Sequence, residues 1–290
     1  MKSIIGGDFM NEEMGMLYLC ATPIGNLEDI TLRVLRILKE VDMIAAEDTR
    51  HTLKLLNHFE IRKPLMSYHE HNKREKGREI VELVRAGKSI ALVSDAGMPG
   101  ISDPGSDLVL LAIQENIPLT LLPGASAALT SIVLSGLNTE RFVFEGFLPR
   151  DRKERKKRLN ECKQETRTII LYESPHHLRG TLQELLDTMG DRKIALAREL
   201  TKIHEEVIRS TLKEAVEFYR EHDPRGEFVL LLEGAFIQKD DFSQQENPLD
   251  IQSQLLIYIQ KGMEKKDAVK KVARERGLHK SMVYLYSIDI

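Results

Sequence analysis

Two carboxylates, an arginine and a histidine occur within the six residues AEDTRH, at positions 46–51. The segment follows the short apolar run MIAA, so we expect it at the carboxyl end of a strand. Glu47 or Asp48 could accept a proton there, and Arg50 suits a phosphate group. Asp48 is equally suited to cap the helix that follows. The pattern therefore predicts proton-transfer chemistry, with helix capping as the open alternative for Asp48.

A loop rich in glycine and proline, SDAGMPGISDPG, spans residues 94–105 and is called the cradle loop below. It follows the apolar run SIALVS and precedes a helical pattern. In parallel sheets, ligands bind beyond the carboxyl ends of strands. Glycines allow the backbone to approach a ligand closely, and prolines fix the loop's shape in advance. The loop therefore predicts a ligand site, unless its glycines and prolines only form a tight turn.

Two further loops of this kind, ATPIGNLED and LLPGASAAL, follow other predicted strands, and Ser126 lies in the second at a helix N-cap position. We expect all three loops at one edge of one sheet. They contain no dinucleotide or P-loop glycine motif and no lysine or arginine. Asp95 and Asp103 would repel a phosphate. The expected ligand therefore lacks phosphates or carries positive charge.

The elements that must position these loops alternate regularly in the first half of the chain. Short apolar strands separated by helical patterns predict a mostly parallel sheet covered on both faces. The predicted strands are 17–21, 43–46, 65–68, 89–94 and 118–122. In the second half some strands follow one another directly, which predicts a mixed sheet. Its strands are predicted at 142–147, 168–173, 193–200, 205–211 and 227–234.

Composition limits the function classes. The net charge is −3, so any attraction to a polyanion must come from a local patch. Cys20 and Cys162 form neither a disulfide framework nor a zinc motif, which predicts a reducing, cytoplasmic location. No apolar run is long enough for a membrane span, and residues 1–15 read as an extension rather than a secretory signal. We expect no membrane partner.

Two local basic segments favour a nucleic-acid partner. Residues 150–163 and residues 261–280 each contain eight basic and three acidic residues. The second segment reads as helix, turn at Gly277, helix, which resembles a helix-turn-helix. A solvated helix, a packing module or a dimer contact is the alternative. The preceding stretch, residues 239–250, is polar and without periodicity, as is typical of a linker.

Seven ordered motifs carry a resemblance to a known family: ATPIGNLEDIT, AEDTRHTLKLL, YHEHN, SDAGMPGISDPG, LLPGASA, ESPHHL and ARELTKIHEE. Together they resemble the bacterial ribosomal RNA small-subunit methyltransferase I family, which has the two-domain α/β tetrapyrrole methylase-like (class III methyltransferase) fold. The resemblance runs from about Met16 to Gly234 and extends into the C-terminal module. It implies S-adenosylmethionine as methyl donor and the ribose 2′-hydroxyl of a cytidine in 16S ribosomal RNA, within the 30S subunit, as acceptor. It also implies a homodimer.

The resemblance implies a set of cofactor contacts. These contacts come from the backbone of the cradle loop and from one isoleucine that covers an apolar part of the cofactor. Others come from the opposite wall and from two positions of the second domain. The implied residues are Ala96, Gly97, Met98, Ile101, Ser126, Ala127, Glu173 and Leu200. Tetrapyrrole methylases carry an aspartate at the position of Met98, so the contact there is expected to be apolar or through the backbone.

Neither the residues nor the resemblance identifies the group that accepts the proton of the ribose hydroxyl. A ribose hydroxyl needs a general base or a field that favours its deprotonation. The candidates for catalysis are Glu47, Asp48, Arg50 and Glu173. The histidine pairs of YHEHN and ESPHHL are expected to face the substrate cleft, with His176 as a further proton-handling candidate. Methyl transfer from a sulfonium needs no metal, and we expect no metal site.

The predicted organisation has five parts: an extension at 1–15, α/β domains at 16–146 and 147–238, a linker at 239–250 and a helical module at 251–290. Two other functions stay open at this stage. One is methylation of a tetrapyrrole or another small molecule. The other is a non-catalytic protein that senses the cofactor and binds nucleic acid.

Overall fold

The computed structural model describes residues 14–235 and 248–288. The chain divides into two compact units, Met1–Ala235 and Phe236–Ile290. Among the described residues, the first unit contains two five-stranded sheets and the second contains three helices. The predicted extension lies almost entirely outside the described residues, as does most of the predicted linker. No helix of the described residues is long and apolar enough to cross a membrane.

The first sheet is entirely parallel, as predicted. Its strands, in spatial order β3-β2-β4-β1-β5, are β1 (Leu17–Cys20), β2 (Met43–Ala46), β3 (Leu65–Ser67), β4 (Ile90–Val93) and β5 (Leu119–Leu122). The helices between and after them are α1 (Leu32–Glu40), α2 (Thr49–His58), α3 (Lys73–Arg85), α4 (Gly105–Gln114) and α5 (Ala127–Ser135). Apolar clusters fill both faces of this sheet, as its continuous apolar strands require.

One helix of the first half begins later than its pattern predicts. The sequence predicts a helix over 27–40, but residues 27–29 form a separate 3-10 turn and α1 begins at Leu32. The break lies at Ile30 and Thr31, which are both extended. The Asn26 side chain accepts from the Glu28 backbone, and the Thr31 hydroxyl accepts from the Val34 backbone. Because Thr31 is the extended N-cap of α1, the helix cannot continue through it from residues 27–29.

The second sheet is mixed, also as predicted. Its strands, in spatial order β6-β7-β10-β8-β9, are β6 (Phe142–Phe147), β7 (Thr168–Glu173), β8 (Lys193–Arg198), β9 (Glu206–Thr211) and β10 (Phe228–Leu232). Only β6 and β7 pair in parallel, and the other pairs are antiparallel. The helices are α6 (Arg152–Lys163), α7 (Leu178–Met189) and α8 (Leu212–Glu221). A bulge between Phe144 and Gly146 shifts the β6 register just before the strand ends.

Helix α5 joins the two sheets. It follows β5 of the first sheet, yet its buried Ala128 and Ile132 pack in one cluster with Ile170, Ala195 and Leu231 of the second sheet. Most residues of α5 are apolar, which is typical of a helix packed on more than one side. The helix thereby brings the carboxyl ends of the first-sheet strands next to the second sheet.

The second unit consists of α9 (Pro248–Gln260), α10 (Lys265–Arg276) and α11 (Lys280–Leu285). Its own small core includes Leu255, Val272 and Val283. Gly277 ends α10 in the left-handed conformation, with φ of 65°, which places the tight turn where the sequence predicts it. Helix α9 begins three residues inside the predicted linker, because proline is favoured in the first turn of a helix.

Candidate active site

A cavity of about 480 Å³ lies in the first unit between the cradle loop and the second sheet. The cradle loop and Ile24 form one wall, and the start of α5 forms another. The end of β7 and parts of β8 and β10, with Leu200, close the cavity from the second sheet. All eight predicted cofactor residues line it, namely Ala96, Gly97, Met98, Ile101, Ser126, Ala127, Glu173 and Leu200. Their contact with a cofactor stays a prediction.

The cradle loop is held in shape by its own residues. The Asp103 carboxylate accepts hydrogen bonds from the backbone N–H groups of Gly100, at 2.9 Å, and Gly105, at 2.7 Å. Gly97 exchanges two backbone hydrogen bonds with Thr22, which ties the loop to the end of β1. These contacts fix the loop to itself and to the end of β1 without the help of a ligand.

Gly97 is a position that only glycine suits. Its φ is +80°, and a Cβ atom added there would lie 3.3 Å from Ile24 Cγ2 and 3.6 Å from the carbonyl oxygen of Ala125. A side chain would therefore be strained and would also extend into the cavity. The backbone at this point can approach a bound molecule closely.

The charge of the first cavity has one sign. Among the described residues that line it, five side chains are carboxylates, and none is a lysine, arginine or histidine. The five are Glu47, Asp95, Asp103, Glu173 and Glu227. A phosphate would be repelled here, whereas a cation would be attracted, as the sequence of the loops predicts. The cavity therefore fits a positively charged ligand without phosphates.

Glu47 lies in this cavity at the end of β2. Burial raises the pKa of its carboxyl group above the ordinary value of 4.5, and the charges of Asp95 and Asp103 raise the pKa further. Asp95 is held in place by the Asp48 backbone N–H, which donates to its carboxylate at 3.0 Å. A carboxylate with a raised pKa is a better proton acceptor than a free one.

Asp48 and Arg50 lie outside the cavity and bind each other. The Asp48 carboxylate accepts from the Arg50 backbone at 2.8 Å as the N-cap of α2, and it accepts from the Arg50 guanidinium at 3.0 Å. This side-chain bond to Arg50, with the backbone bond, lowers the pKa of Asp48 to about 2, which makes it a poor base. The Arg50 side chain is 88% exposed, so a phosphate can still reach it.

Glu173 is buried at the end of β7 and forms part of a hydrogen-bonded chain. The Thr181 hydroxyl donates to its Oε2 at 2.5 Å, and the Ser174 backbone donates to its Oε1 at 2.8 Å. Arg155, on the basic helix α6, donates to the Thr181 hydroxyl at 2.7 Å. The structure thus connects the basic helix to the cavity wall through Thr181.

A second cavity of about 1020 Å³ adjoins the first and shares Phe147, Glu173 and Ser174 with it. His176 and His177 line this second cavity. The sequence predicts that the ESPHHL histidines face the substrate cleft, and this stays a prediction; it does not single out Phe147. The feature of the sequence that could have identified Phe147 is its position, because it is an aromatic residue at the end of a strand that leads into a basic helix.

The YHEHN motif supports the cradle loop instead of lining either cavity. Tyr68 is buried and donates its hydroxyl hydrogen to the Pro104 carbonyl at 3.2 Å. Asn72 accepts from the His69 backbone at 2.8 Å and shapes the turn before α3. Within the described residues, neither His69 nor His71 lines the two cavities, and no group of side chains there could hold a metal ion.

Comparison with known proteins shows which family this chain resembles. A sequence model of the family "Tetrapyrrole (Corrin/Porphyrin) Methylases" matches residues 16–216. Two proteins named ribosomal RNA small subunit methyltransferase I align with 94% of this chain and 94% of their own length. The one from Halalkalibacterium halodurans is 50% identical, and the one from Bacillus subtilis is 48% identical.

A third relative differs in length. The protein of the same name from Thermotoga maritima is 47% identical over 221 residues, which are 76% of this chain and 99% of that protein. The aligned length corresponds to the span from residue 16 to the end of the first unit at Ala235. About a quarter of this chain lies outside that alignment.

Solved structures share the fold of the first unit. Uroporphyrin-III C-methyltransferase from Thermus thermophilus, in complex with S-adenosyl homocysteine, aligns with a TM-score of 0.55 and 19% identity. It covers 76% of this chain and 97% of its own. A cobalt precorrin-4 methyltransferase aligns with a TM-score of 0.58 and 17% identity, covering 75% of this chain and 94% of its own.

Proposed function

The chain belongs to the tetrapyrrole methylase family and, within it, to the ribosomal RNA small subunit methyltransferase I proteins, and from that premise we propose its reaction and substrate. As a member it is a methyltransferase that uses S-adenosylmethionine as methyl donor. The proposed acceptor is the ribose 2′-hydroxyl of a cytidine in 16S ribosomal RNA, presented by the 30S subunit. The relatives' name and the chemistry of the first cavity support this proposal.

The first cavity is the observation that carries the proposal. Its volume of about 480 Å³ is in the usual range for small-molecule sites. Bound there, S-adenosylmethionine supplies an electrophilic methyl group on a sulfonium cation. The carboxylates of the cavity complement that cation, and the cradle loop approaches it through Gly97. The residues present therefore fit this cofactor.

The proton of the acceptor hydroxyl needs a destination. The reaction forms a bond between the ribose oxygen and the methyl carbon, breaks the sulfur–carbon bond and releases neutral S-adenosylhomocysteine with one proton. Glu47 is the proposed acceptor of that proton, because burial and two neighbouring carboxylates raise its pKa. Asp48 is a weaker candidate, since its ion pair with Arg50 lowers its pKa to about 2.

The second unit is proposed to hold RNA. A groove of about 660 Å³ on its surface is lined by Lys265, Lys266, Lys270 and Lys280, with Tyr284 beside them. Lysines bind phosphates, and an exposed tyrosine can stack on a base. The Thermotoga maritima relative matches the first unit in length, which supports an auxiliary role in substrate binding for this unit rather than a role in the reaction itself.

A homodimer is proposed from the surface of the first unit. Strand β5 is an edge strand that pairs only with β1 among the described strands. Exposed apolar side chains lie on β5 and on the helices before and after it, namely Leu110, Ile113, Leu121, Leu129 and Val133. An unpaired strand edge with exposed apolar neighbours needs a covering partner. A second copy of the chain is the proposed partner.

A transfer assay with methyl-labelled S-adenosylmethionine tests the proposed function. The protein is incubated separately with 30S subunits, with naked 16S RNA and with a porphyrinogen. Label in the ribose of a cytidine of the RNA is expected. Label only in the porphyrinogen would establish tetrapyrrole methylation instead. Cofactor binding without transfer to any acceptor would establish a sensing protein.

A further inference from the structure

The second cavity differs in charge from the first, which it adjoins. Arg150, Arg155, His176 and His177 line the second cavity, whereas no arginine, lysine or histidine lines the first. The carboxylates of the second cavity are Glu173, which it shares with the first, and Glu184, which is paired with Arg155. One cavity therefore suits a cation without phosphates, and the next suits a ligand that carries phosphates. We propose that the second cavity receives the target nucleotide of the RNA, an inference that rests on the proposed function above.

Phe147 is positioned to stack on the base of that nucleotide. It ends β6 at the boundary of the two cavities, and it is 57% exposed. Its ring lies 5.6 Å from the ring of Tyr172, nearly edge-on, and Phe144 contacts the same tyrosine. The aromatic support holds the ring of Phe147 in one orientation while leaving much of its surface free. A base can stack on such a ring without displacing any protein contact.

The two arginines of the second cavity have different roles. Arg155 is a fixed part of the wall, because it donates to Glu184 at 2.6 Å and to the Thr181 hydroxyl at 2.7 Å. Arg150 makes no ion pair within the part of the chain that the structure describes, and it lines the same cavity. Arg150 is therefore the side chain available for a backbone phosphate of the bound nucleotide.

The wall shared by the two cavities contains an unpaired hydroxyl. Ser174 Oγ is buried and has no hydrogen-bond partner in the structure. A buried polar atom without a partner costs free energy, and the usual explanation is a ligand or water that satisfies it. A ribose hydroxyl entering from the second cavity would do so at the boundary with the first cavity. Ser174 is thus a positioning residue for the acceptor.

Gly180 gives a direct test, because it lines the second cavity and not the first. A Cβ atom added there would meet nothing within 4 Å, and its backbone is helical, so larger residues fit without strain. The variants are Gly180→Ala and Gly180→Leu. Asp187→Leu, on an exposed part of the same helix, is the control for added apolar surface.

Gly180→Leu is expected to raise the KM for RNA roughly 5- to 100-fold, the effect of losing one base–aromatic stack. Gly180→Ala and Asp187→Leu should stay within about twofold of wild type on the same scale. The calorimetric Kd for S-adenosylmethionine should be unchanged in all three variants. An unchanged KM and kcat for RNA in a folded Gly180→Leu protein would overturn the proposal.

Arg150→Gln tests the phosphate contact independently. Its RNA affinity is expected to fall, with the slope of log K against log salt reduced by about one, as for the loss of one phosphate contact. Arg220→Gln, on α8 and outside both cavities, is the charge-matched control and should keep the wild-type slope. Equal slopes for Arg150→Gln and wild type would contradict this contact.

These experiments separate the two proposals. If the wild-type protein transfers no methyl group to RNA, the proposed function itself is wrong. If the wild-type protein methylates RNA and the Gly180 and Arg150 variants bind RNA normally, only the assignment of the second cavity is wrong.

Discussion

The hydroxyl of Tyr68 donates to the carbonyl of Pro104 at 3.2 Å and thereby links the end of β3 to the end of the cradle loop. Tyr68 is buried, and this burial, with the nearby charge of Asp107, raises the pKa of its hydroxyl to about 12. The hydroxyl therefore remains a hydrogen-bond donor throughout the physiological pH range. The loop proposed to hold the cofactor is thus supported by a side chain that lines neither cavity.

Tyr68→Phe is expected to lower the free energy of unfolding by about 0.5–1.5 kcal/mol, the net contribution of one hydrogen bond. A severalfold weaker affinity for S-adenosylmethionine should accompany it, because the cradle loop loses one attachment. Tyr18→Phe is the matched control, since the Tyr18 side chain makes no hydrogen bond to any of the described residues. Denaturant titration and calorimetry measure the two effects. Equal stability of the two variants would show that the Tyr68 bond contributes nothing.

Gly97→Val is expected to abolish binding of S-adenosylmethionine while leaving the chain folded. The side chain would be strained at φ of +80° and would extend toward the space proposed for the cofactor. Gly136→Val is the control, because Gly136 has a similar φ of +76° and lies outside the cavity. Both variants should lose about 1–3 kcal/mol of stability from backbone strain. Only Gly97→Val should lose calorimetric binding, and retained affinity there would remove the cofactor assignment of the loop.

Glu47→Gln is expected to reduce methyl transfer about 10²- to 10⁴-fold, the usual effect of losing a general base. The amide keeps the shape of the side chain but cannot accept the proton, so RNA and cofactor affinities should change little. Asp48→Asn makes the same chemical change one residue away and should reduce transfer much less, because Asp48 caps α2 outside the cavity. Single-turnover rates measure both. Near-normal transfer by Glu47→Gln would move the base to another group, or show that placement of the hydroxyl alone suffices.

The pH dependence follows from the raised pKa of Glu47. As the base, Glu47 acts when deprotonated, so the rate should rise with pH through its pKa, and this rise should be absent in Glu47→Gln. The folded state binds the Glu47 proton more tightly than the unfolded chain. That contribution favours folding below the ordinary value of 4.5 and is lost as pH rises through the folded pKa. Glu47→Gln should therefore raise the free energy of unfolding at neutral pH.

Removal of the second unit should separate RNA binding from cofactor binding. A chain that ends at Asn247 is expected to keep its affinity for S-adenosylmethionine and to bind RNA more weakly, with a shallower salt dependence. Replacement of Lys265, Lys266 and Lys280 by glutamine in the full chain is the complementary variant, because these lysines line the groove of that unit. Unchanged RNA affinity and salt slope in both would make the unit a packing or dimer module.

Val133→Glu is expected to shift a homodimer toward monomer. Val133 is 74% exposed on α5, and a charge there would have to be buried in the proposed interface. Leu32→Glu is the control, since Leu32 is 85% exposed on α1, which is not part of the proposed surface. Light scattering gives the mass of each variant. A dimer that persists in Val133→Glu, or a wild-type monomer, would contradict the proposed surface.

The amino-acid sequence alone predicts which segments form the strands of both sheets and which residue types make the cradle loop a ligand loop. Its apolar runs predict β1 to β5 as a parallel sheet, because buried strands lack polar alternation. The glycines, prolines and aspartates of residues 94–105 predict a ligand loop without phosphate-binding groups. These features are local, since each depends on residues that are neighbours in the chain.

The tertiary structure alone decided how neighbouring residues divide their roles. Glu47 and Asp48 look alike in sequence, but one enters the cavity near Asp95 and Asp103 while the other caps α2. The electrostatic difference comes from carboxylates far away in the chain, which periodicity cannot reveal.

The second cavity is also formed by residues that are far apart in the chain. Phe147 reaches Tyr172 only because β6 pairs in parallel with β7, and α5 covers the second sheet although it follows the first. A sequence pattern shows which side of an element is apolar, but it does not show which other element covers that side. The packing of distant segments determines which element covers each apolar side, and at this site it places the two cavities next to each other.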